Sequence, residues 1–480
     1  MRPTRWFLFL CLVLCVAPAG TAQPETERAD LIIANGLVLT MDSGRRIHDP
    51  GTVVVRDGRL VAVGGPDLAE RYTAPETIDA GGDIVMPGMI NLHSHLSMVA
   101  FRGLGETAMG NILTDVMFPL EKALLNRTLI RVAARQAAME LALGGVTLIT
   151  DMYYHEDEVA DAVAGVGLRG VLGETIIGFP VVDAPEPYGG LDYARTYTED
   201  YRDHPLITPA LAPHAPYTVN SDILKKVKAL SDETGAPILI HLAEFEREEI
   251  WSADTHEAFN GRQSEIAYLA DLDFLGPKVL GAHMIYTDAA DREILARHDV
   301  GIAHNPKANP KYGERLAPAW EQVQAGIDVG LGTDGPMTSN QLDVLTVMRH
   351  AAYAARLRQR SHRPFPPQDL VHMATLGGAE ALHMDDQLGS LEAGKHADIV
   401  IIDVHAANMQ PLYNPYAALV FQAYPGNVRT TIVAGQPVVR DGVVQTVDRD
   451  AHDKAWRAVT QRVIDVAGEL NIPGLVSAGQ

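Results

Sequence analysis

Two histidines separated by a single residue, His93 and His95, follow an apolar stretch of the chain, and their spacing is suited to metal binding. On a β-strand, side chains at positions i and i+2 point to the same face, so both imidazoles would project together from one end of a strand. Two such imidazoles are half of a site for a divalent ion. An isolated pair is more often a surface or hydrogen-bonded pair, so the interpretation depends on ligands elsewhere.

Further polar side chains of suitable types stand at the ends of later apolar stretches. We predict eight strands, at 84–95, 146–153, 169–175, 207–214, 238–244, 279–284, 301–305 and 329–334. Helical patterns accompany them at 130–143, 223–234, 263–272, 289–298 and 343–356. This alternation predicts an α/β fold, a (β/α)8 TIM barrel whose active site lies at the carboxyl ends of the strands. The polar residues at the later strand ends are Asp151, His214, His241, Glu244, His283, His304, Asn305 and Asp334.

Both ends of the chain instead carry short strand patterns with glycine-containing turns. These patterns cover 30–42 and 51–64 near the start, and 397–404 and 428–438 near the end. The turns at 56–58 and 440–442 have hairpin composition. We predict a small composite β-sandwich formed from 23–85 and 389–450, a metallo-hydrolase barrel at 86–388 between them, and a C-terminal helix and tail at 451–480.

The first 22 residues have the features of a secretory signal peptide. Arg2 and Arg5 precede an apolar run at 6–16, and small residues follow up to Ala22, where we place the cleavage site. A membrane anchor is the alternative, although the run falls short of the ~20 residues that a spanning helix needs. Both cysteines, Cys11 and Cys15, lie in this segment, so the mature chain would hold a metal only through His, Asp or Glu. We expect a periplasmic or extracellular protein.

Composition limits the classes of partner. The chain has 480 residues, 47% hydrophobic, and a formal net charge of −22. It is long enough for a large barrel and a smaller domain. The acidic surface argues against nucleic acid or an anionic membrane as partner once the signal peptide is cleaved. The oligomeric state stays open, a homo-oligomer included.

A set of motifs in a fixed order resembles the amidohydrolase superfamily of metal-dependent hydrolases. The resemblance is to the branch of S-adenosylhomocysteine/methylthioadenosine deaminases and s-triazine hydrolases. The motifs are PGMINLHSH (87–95), FRGLGE (101–106), HAPYT (214–218), HLAE (241–244), GAHM (281–284), HNPKANPK (304–311), LGTDG (331–335) and GSLEAGKHAD (389–398). The resemblance implies one divalent metal ion, with the ligands His93, His95, His241 and Asp334. It further implies acid/base roles for Glu244 and His283, and substrate contacts for His214 and Glu121.

Three imidazoles and one carboxylate suit Zn²⁺ first, with Fe²⁺, Mn²⁺ and Co²⁺ left open. Such an ion would lower the pKa of a bound water toward ~7 and make hydroxide available. Glu244 follows His241 by three residues, so on an ideal strand the two would face opposite ways. We therefore expect Glu244 to lie beyond the strand, after a bend, where it could protonate a substrate ring nitrogen. An exposed loop glutamate is the alternative.

The remaining assignments each have an alternative. His283 would position the water, unless it is a core histidine, and Asp334 would also accept a proton, unless it is an ordinary turn aspartate. His304 would orient either Asp334 or the loop from behind the metal ligands. Glu121, in the segment FPLE at 118–121, would contact a ribose, unless it is a solvated glutamate at a helix end.

Departures from the family bear on the substrate. Homologues that bind S-adenosylhomocysteine carry arginines after the third strand, whereas this chain has GETIIGFP at 173–180. The loop at 181–200 is either a lid or a plain surface loop. His214 stands where binuclear relatives place a carbamylated lysine, which favours one metal ion. We predict an exported mononuclear enzyme that deaminates a small amino-substituted heterocycle, similar to a purine nucleoside or a triazine. Two alternatives remain: hydrolysis of a halide, alkylamine, cyclic amide or ester, and non-catalytic ligand binding.

Overall fold

The computed structural model describes residues 26–108, 112–246, 264–311, 313–473 and 475. The predicted signal peptide lies outside the described residues. The strands are β1 (Glu27–Arg28), β2 (Leu31–Leu39), β3 (Ile47–Arg56), β4 (Arg59–Gly64), β5 (Tyr72–Thr73), β6 (Glu76–Asp79), β7 (Ile84–Pro87), β8 (Met89–Asn91), β9 (Val146–Tyr153), β10 (Arg169–Ile176), β11 (Ile207–Pro213), β12 (Ile238–Leu242), β13 (Val279–His283), β14 (Gly301–His304), β15 (Val329–Leu331), β16 (Ile399–Ile402), β17 (Val428–Val433), β18 (Gln436–Arg440) and β19 (Val443–Val444).

The helices occupy the connections, as the sequence pattern predicts. The α-helices are α1 (Leu68–Arg71), α2 (Phe118–Leu124), α3 (Arg127–Leu143), α4 (Glu156–Val166), α5 (Gly190–Asp200), α6 (Ser221–Thr234), α7 (Glu265–Asp271), α8 (Ala289–Arg297), α9 (Ala308–Lys311), α10 (Ala319–Gln324), α11 (Val344–Gln359), α12 (Pro367–Met373), α13 (Leu376–Ala381), α14 (Pro415–Phe421) and α15 (Arg449–Glu469). Short 3-10 turns lie at Leu96–Phe101, Ala407–Met409 and Pro425–Asn427, and a π-helical turn lies at Leu113–Met117. In the part of the chain described, none of the helices combines the length and apolar character that a bilayer crossing needs.

Eight parallel strands, β8 to β15 in sequence order, form the central barrel. The first and last strands meet where the Leu92 N–H donates to the Leu331 carbonyl at 2.8 Å. The predicted TIM barrel is confirmed. Because all eight strands run in parallel, their carboxyl ends gather at one mouth.

Small and branched apolar side chains fill the inside of the barrel. They include Ile90, Leu148, Val171, Ala210, Leu239, Leu280 and Ala303, one or more from each strand from β8 to β14. Ala379, Ala381 and Leu388 join this cluster from the segment around α13. The interior is thus a packed core, and polar groups are left to the carboxyl ends of the strands.

The prediction of one continuous strand at 84–95 is wrong. Residues 84–87 form β7, which pairs with β16 and β2 in a second sheet, whereas 89–91 form β8 of the barrel. Gly88 lies at the crossing, where an added Cβ would come within 2.2 Å of the Thr147 side chain. Two buried strands in succession read as a single apolar run, so periodicity alone does not reveal the change of sheet.

The second sheet has nine strands and draws on both ends of the chain, as predicted. Its hairpins turn through Asp57 and Gly58 (φ +51° and +71°) and through Asp441 and Gly442 (φ +48° and +72°). Positive φ at both central residues is the signature of the type I′ turn. An Arg59–His396 bridge brings β4 against the segment before β16, so the sheet curls around its own apolar core. Helix α15 returns from this domain to pack on α2 and α3.

Candidate metal centre and active site

Five side chains from four strand ends converge at the mouth of the barrel. The ligand atoms of His93, His95 and His241 lie within 4.8 Å of one another, as do those of His93, His283 and Asp334. Asp334 Oδ1 is 3.6 Å from Nε2 of both His93 and His95. The Nε2 atoms of His95 and His241 are 3.4 Å apart. The four residues predicted as metal ligands are therefore brought together from positions about 240 residues apart in sequence.

Backbone carbonyls fix two of these rings. His95 Nδ1 lies 2.7 Å from the Met152 carbonyl and His241 Nδ1 lies 2.8 Å from the His214 carbonyl. A carbonyl only accepts, so each Nδ1 carries the hydrogen and each Nε2 keeps its lone pair for the cluster. Nε2 of His93 is buried with no hydrogen-bond partner among the described residues. Burial lowers the pKa of all three imidazoles, which keeps them neutral, the form that binds metal.

This donor set fits a divalent ion on its chemistry. The imidazole nitrogens are neutral and keep free lone pairs, and they face one carboxylate oxygen. These electron-rich atoms would repel one another unless a cation lay between them. The described residues thus provide a histidine-rich site that suits zinc.

A backbone bend directs Glu244 toward the cluster. Strand β12 ends at Leu242, and Ala243 adopts φ +48°, with its N–H held by Glu265 Oε2 at 2.7 Å. A non-glycine residue with positive φ is uncommon, and such strain concentrates at functional sites. After the bend, Glu244 Oε1 lies 3.6 Å from His283 Nε2, and the Glu244 side chain is 22% exposed. The predicted bend is present, and Glu244 is not the exposed loop glutamate of the alternative.

Glu244 and His283 are electrostatically suited to proton transfer. Burial raises the pKa of Glu244 to about 7, although His283 opposes the shift. Burial lowers the pKa of His283, but the carboxylates of Glu244 and Asp334 outweigh it and leave that pKa raised. His283 thus differs from the three other histidines of the cluster, whose pKa values are lowered. Glu244 can therefore gain or lose a proton near neutral pH.

Asn309 orients His283 and Asn305 lies against the same ring nitrogen, and the sequence reasoning did not assign either of them a contact with His283. His283 Nδ1 lies 3.0 Å from Asn309 Oδ1 and 3.3 Å from Asn305 Nδ2. The amide oxygen of Asn309 accepts from the Nδ1 hydrogen, which leaves Nε2 facing Glu244. The signal was in the motif at 304–311, where the Asn-Pro-Lys triplet occurs twice.

Asp334 follows β15 in a left-handed conformation, with φ +63°, and its N–H donates to the His93 carbonyl at 2.9 Å. Asn91 accepts from the Thr333 N–H at 2.9 Å and donates to the Thr333 hydroxyl at 2.8 Å, so the first and last strand ends are tied together. His304 differs from these residues, because across the described ranges its Nδ1 has no hydrogen-bond partner. Its role in orienting Asp334 stays a prediction.

The substrate side of the mouth contains Glu121 and Tyr153. Glu121 is 8% exposed, and its Oε1 accepts from the Tyr153 hydroxyl at 2.6 Å. The Tyr153 ring lies 6.3 Å from that of His95. Burial raises the pKa of Glu121 to about 7. Glu121 is therefore a buried group beside the metal ligands, and the alternative of a solvated helix-end glutamate is wrong. The sequence reasoning missed Tyr153.

His214 lies directly after β11, at the predicted fourth strand end. Its ring lies 4.8 Å from that of His241, and its Nδ1 is 3.0 Å from the Thr218 hydroxyl. That hydroxyl donates to the Ala215 carbonyl, so it accepts from His214 Nδ1–H and leaves Nε2 as an acceptor. Burial lowers the pKa of His214 to about 3, so the ring is neutral.

Comparison with known proteins agrees with this geometry. Residues 84–438 match the model of the amidohydrolase family. The 5-methylthioadenosine/S-adenosylhomocysteine deaminase of Syntrophobacter fumaroxidans is 34% identical over 429 residues, 88% of this chain and 96% of that protein. The 5'-deoxyadenosine deaminase of Methanosarcina mazei is 33% identical over 442 residues, 91% of this chain and 99% of that protein.

Solved structures agree as well. An adenosine deaminase from Xanthomonas campestris with bound zinc has a TM-score of 0.86 and 29% identity, over 91% of this chain and 99% of that one. The atrazine chlorohydrolase of Arthrobacter aurescens, complexed with zinc, has a TM-score of 0.81 and 23% identity, over 90% of this chain and all of that one, and shows the shared fold. The predicted class, a hydrolase acting on non-peptide carbon–nitrogen bonds, is confirmed at the level of the family. The chain belongs to the amidohydrolase family.

Proposed function

We propose that this protein deaminates a small adenosine-like nucleoside whose 5′ substituent is uncharged and apolar, with a single zinc ion as cofactor. The observation that carries the proposal is the Glu244–His283 pair, 3.6 Å apart at the edge of the histidine and aspartate cluster. A protonatable carboxyl beside a metal site is the arrangement that hydrolytic deamination of a nitrogen heterocycle requires. The similarity to named nucleoside deaminases supports the same reaction.

The ion would be held by His93, His95, His241 and Asp334. When bound, it supplies Lewis acidity that lowers the pKa of a water ligand toward ~7.

The protein's own groups move the protons. As water adds to the amino-bearing ring carbon, Glu244 donates its proton to the adjacent ring nitrogen, Asp334 accepts one proton of the water, and His283 orients the water. The amino group then takes up the proton held by Asp334, the carbon–nitrogen bond breaks and ammonia leaves, while the remaining hydroxyl proton passes to Glu244 and the ring keeps the oxygen as a carbonyl. One proton of the water thus leaves with ammonia, and the other restores the acid form of Glu244. Because burial holds the pKa of Glu244 at about 7, its acid and base forms are both populated at neutral pH.

Two features of the mouth support the substrate class. Glu121 and Tyr153 form a hydrogen-bonded pair next to His95 that can accept from sugar hydroxyls. Phe118, one helical turn before Glu121, contacts Phe179 across the mouth with ring centroids 5.9 Å apart, and both rings are partly exposed. The adjoining loop, residues 177–189, contains neither lysine nor arginine. An apolar 5′ group would bury against the two rings, whereas a carboxylate would find no lysine or arginine within the described loop at 177–189.

Ammonia release by the zinc-loaded protein tests the proposal. We expect 5′-deoxyadenosine and 5′-methylthioadenosine to have kcat/KM at least tenfold above S-adenosylhomocysteine, and guanine, pterin and triazine substrates to react slowly. Hydrolysis of a chloro- or alkylamino-triazine in preference to every adenosine would instead support another leaving group. Tight binding of nucleosides with no turnover, equal in Glu244→Gln, would identify a non-catalytic binding protein.

We also propose that the chain is exported by residues 1–22. The charged, apolar and small-residue regions of that segment support export. Amino-terminal sequencing of the protein recovered from a periplasmic fraction should begin just after Ala22. An intact Met1 in the cytoplasmic fraction would contradict export without affecting the proposed reaction.

A further inference from the structure

Asp151 holds the backbone on both sides of a predicted metal ligand. On β9 the side chains of Leu148 and Met152 face the barrel interior. Because side chains alternate between the two faces of a strand, Asp151 faces the outer side of the barrel. Its Oδ1 accepts from the Leu96 N–H at 2.7 Å and, at 2.9 Å, from the Ser94 hydroxyl, whose single hydrogen is shared with the Thr150 carbonyl at 2.8 Å. These donors come from the residues immediately before and after His95. One carboxylate oxygen thus connects β9 to the loop that carries His95.

Asp151 is the first of four buried carboxyl groups that lie one after another in space: Asp151, Glu156, Glu174 and Asp183. The side chains of Asp151 and Glu156 are in contact. The Glu156 N–H donates to Glu174 Oε2 at 3.1 Å, and Glu174 is in contact with Asp183. The His155 N–H donates to Asp183 Oδ2. The chain of carboxyls therefore runs from the His95 loop to the loop at 177–189.

These groups lie where water does not reach. Asp151 is 1% exposed and Glu156 and Glu174 are both 0% exposed. Within the described ranges, Asp151 Oδ2 has no hydrogen-bond partner besides the Glu156 carboxyl group. Two ionised carboxylates in contact without water repel each other strongly, so such a pair shares a proton. Burial raises the pKa of Glu156 well above its ordinary value and that of Asp151 to about 7.

The hydrogen bonds to Asp151 indicate which of the two carboxyl groups, Asp151 or Glu156, is ionised. Oδ1 of Asp151 receives two donors, which favour the ionised form of Asp151. Glu156 then carries the shared proton and donates it to Asp151 Oδ2. In this arrangement the Asp151 carboxylate accepts three hydrogen bonds, and its plane is fixed relative to both β9 and α4.

We propose that Asp151 is a positioning residue of the metal centre, which fixes the loop around His95 and is itself oriented by the acid Glu156. The proposal rests on zinc binding at the site of the proposed function. It assigns no contact between Asp151 and substrate. Partners of this kind behind a metal ligand typically change metal affinity by 10- to 100-fold when removed. The same chain of carboxyl groups reaches the loop at 177–189 through Asp183.

Zinc affinity of the purified full chain, measured by competition with a chromophoric chelator, tests the role of Asp151. Asp151→Ala should weaken zinc binding 10- to 100-fold, and Ser94→Ala, which removes one of the two donors, about threefold to tenfold. Asp151→Asn keeps an oxygen for both donors and should stay within about threefold of the parent protein. The visible absorption spectrum of the Co²⁺-substituted protein should change in Asp151→Ala and return to the parent spectrum in Asp151→Asn.

Glu158→Gln is the matched control. Glu158 is a buried carboxylate on the same helix as Glu156, but its ion pairs are with Arg127 and Arg131, away from the His95 loop. It should leave zinc affinity unchanged even where it lowers stability. Parent-like affinity and spectrum in Asp151→Ala would overturn the proposal, and if that variant does not fold, parent-like affinity in Ser94→Ala would do so. Equal losses in Ser94→Ala and Glu158→Gln would also overturn it. A parent protein that binds no zinc would instead refute the proposed function.

Discussion

Replacing Glu244 by glutamine should remove the proton donor and leave the shape of the site nearly unchanged. Glutamine is isosteric with the protonated acid, so the contact with His283, 3.6 Å away, keeps its geometry. The bend at Ala243 is set by Glu265 and is not touched by the substitution. General acid–base catalysis contributes roughly 10²- to 10⁴-fold to rate. At 1.36 kcal/mol per decade, this corresponds to about 3 to 5.5 kcal/mol in the activation free energy.

The assay is ammonia release from 5′-deoxyadenosine by protein whose zinc content has been measured. We expect kcat of Glu244→Gln to fall by 10²- to 10⁴-fold, with one zinc ion retained per chain and KM changed by less than threefold. Glu244→Asp is the companion variant: it keeps an acid but withdraws it by about one carbon–carbon bond, ~1.5 Å, and should retain more activity than glutamine. A zinc-replete Glu244→Gln enzyme within threefold of the parent kcat would refute the assignment of Glu244 as the acid.

Three further predictions follow from other contacts. Asn309→Ala removes the acceptor that orients His283 at 3.0 Å, so kcat should fall about tenfold, the equivalent of one hydrogen bond, with zinc content unchanged. An unchanged kcat would contradict an orienting role for Asn309. Tyr153→Phe removes the hydroxyl that donates to Glu121, so KM for nucleosides should rise about tenfold while kcat changes little. A loss confined to kcat would contradict a role of Tyr153 in substrate binding. The Glu156 carboxyl group is buried in its protonated form, with its pKa raised well above 4.5, so unfolding at higher pH releases a proton. The free energy of unfolding should therefore fall as pH rises above 4.5, by up to about 1.4 kcal/mol per pH unit. Glu156→Gln carries no such proton and should lower that slope in urea unfolding between pH 5.5 and 7; an identical slope would show that Glu156 ionises freely in the folded protein.

Sequence patterns succeeded where a local rule determines structure. The strand at 146–153 and the helix that ends at residue 143 were predicted with those limits because apolar periodicity and a following Gly-Gly pair mark them. The Asp-Gly turns before β4 and β19 were predicted because few residue pairs accept positive φ twice in succession. The bend before Glu244 was inferred from strand periodicity, since a three-residue separation from His241 is incompatible with one face.

The same patterns failed where the local signal does not reveal which distant partners a segment will have. The apolar run at 84–95 contains strands of two different sheets, separated only by Gly88, because burial makes both halves apolar. Asn309 and Tyr153 were missed because an asparagine in a loop and a tyrosine in a strand have many ordinary uses. Asp151 and Glu156 were missed as a pair because acidic residues five apart are expected at the surface, whereas the helix layer buries both.

The amino-acid sequence by itself determined the order of strands and helices, the motifs and the kinds of donor atoms available, because these depend on side-chain type and on local backbone preference. Only the tertiary structure decided which atoms meet. Barrel closure brings Asp334 to 3.6 Å from His93 and His95, and helix packing removes water from Asp151 and Glu156. Distance and dielectric environment set metal affinity and pKa, and both are properties of neighbours that are remote along the chain.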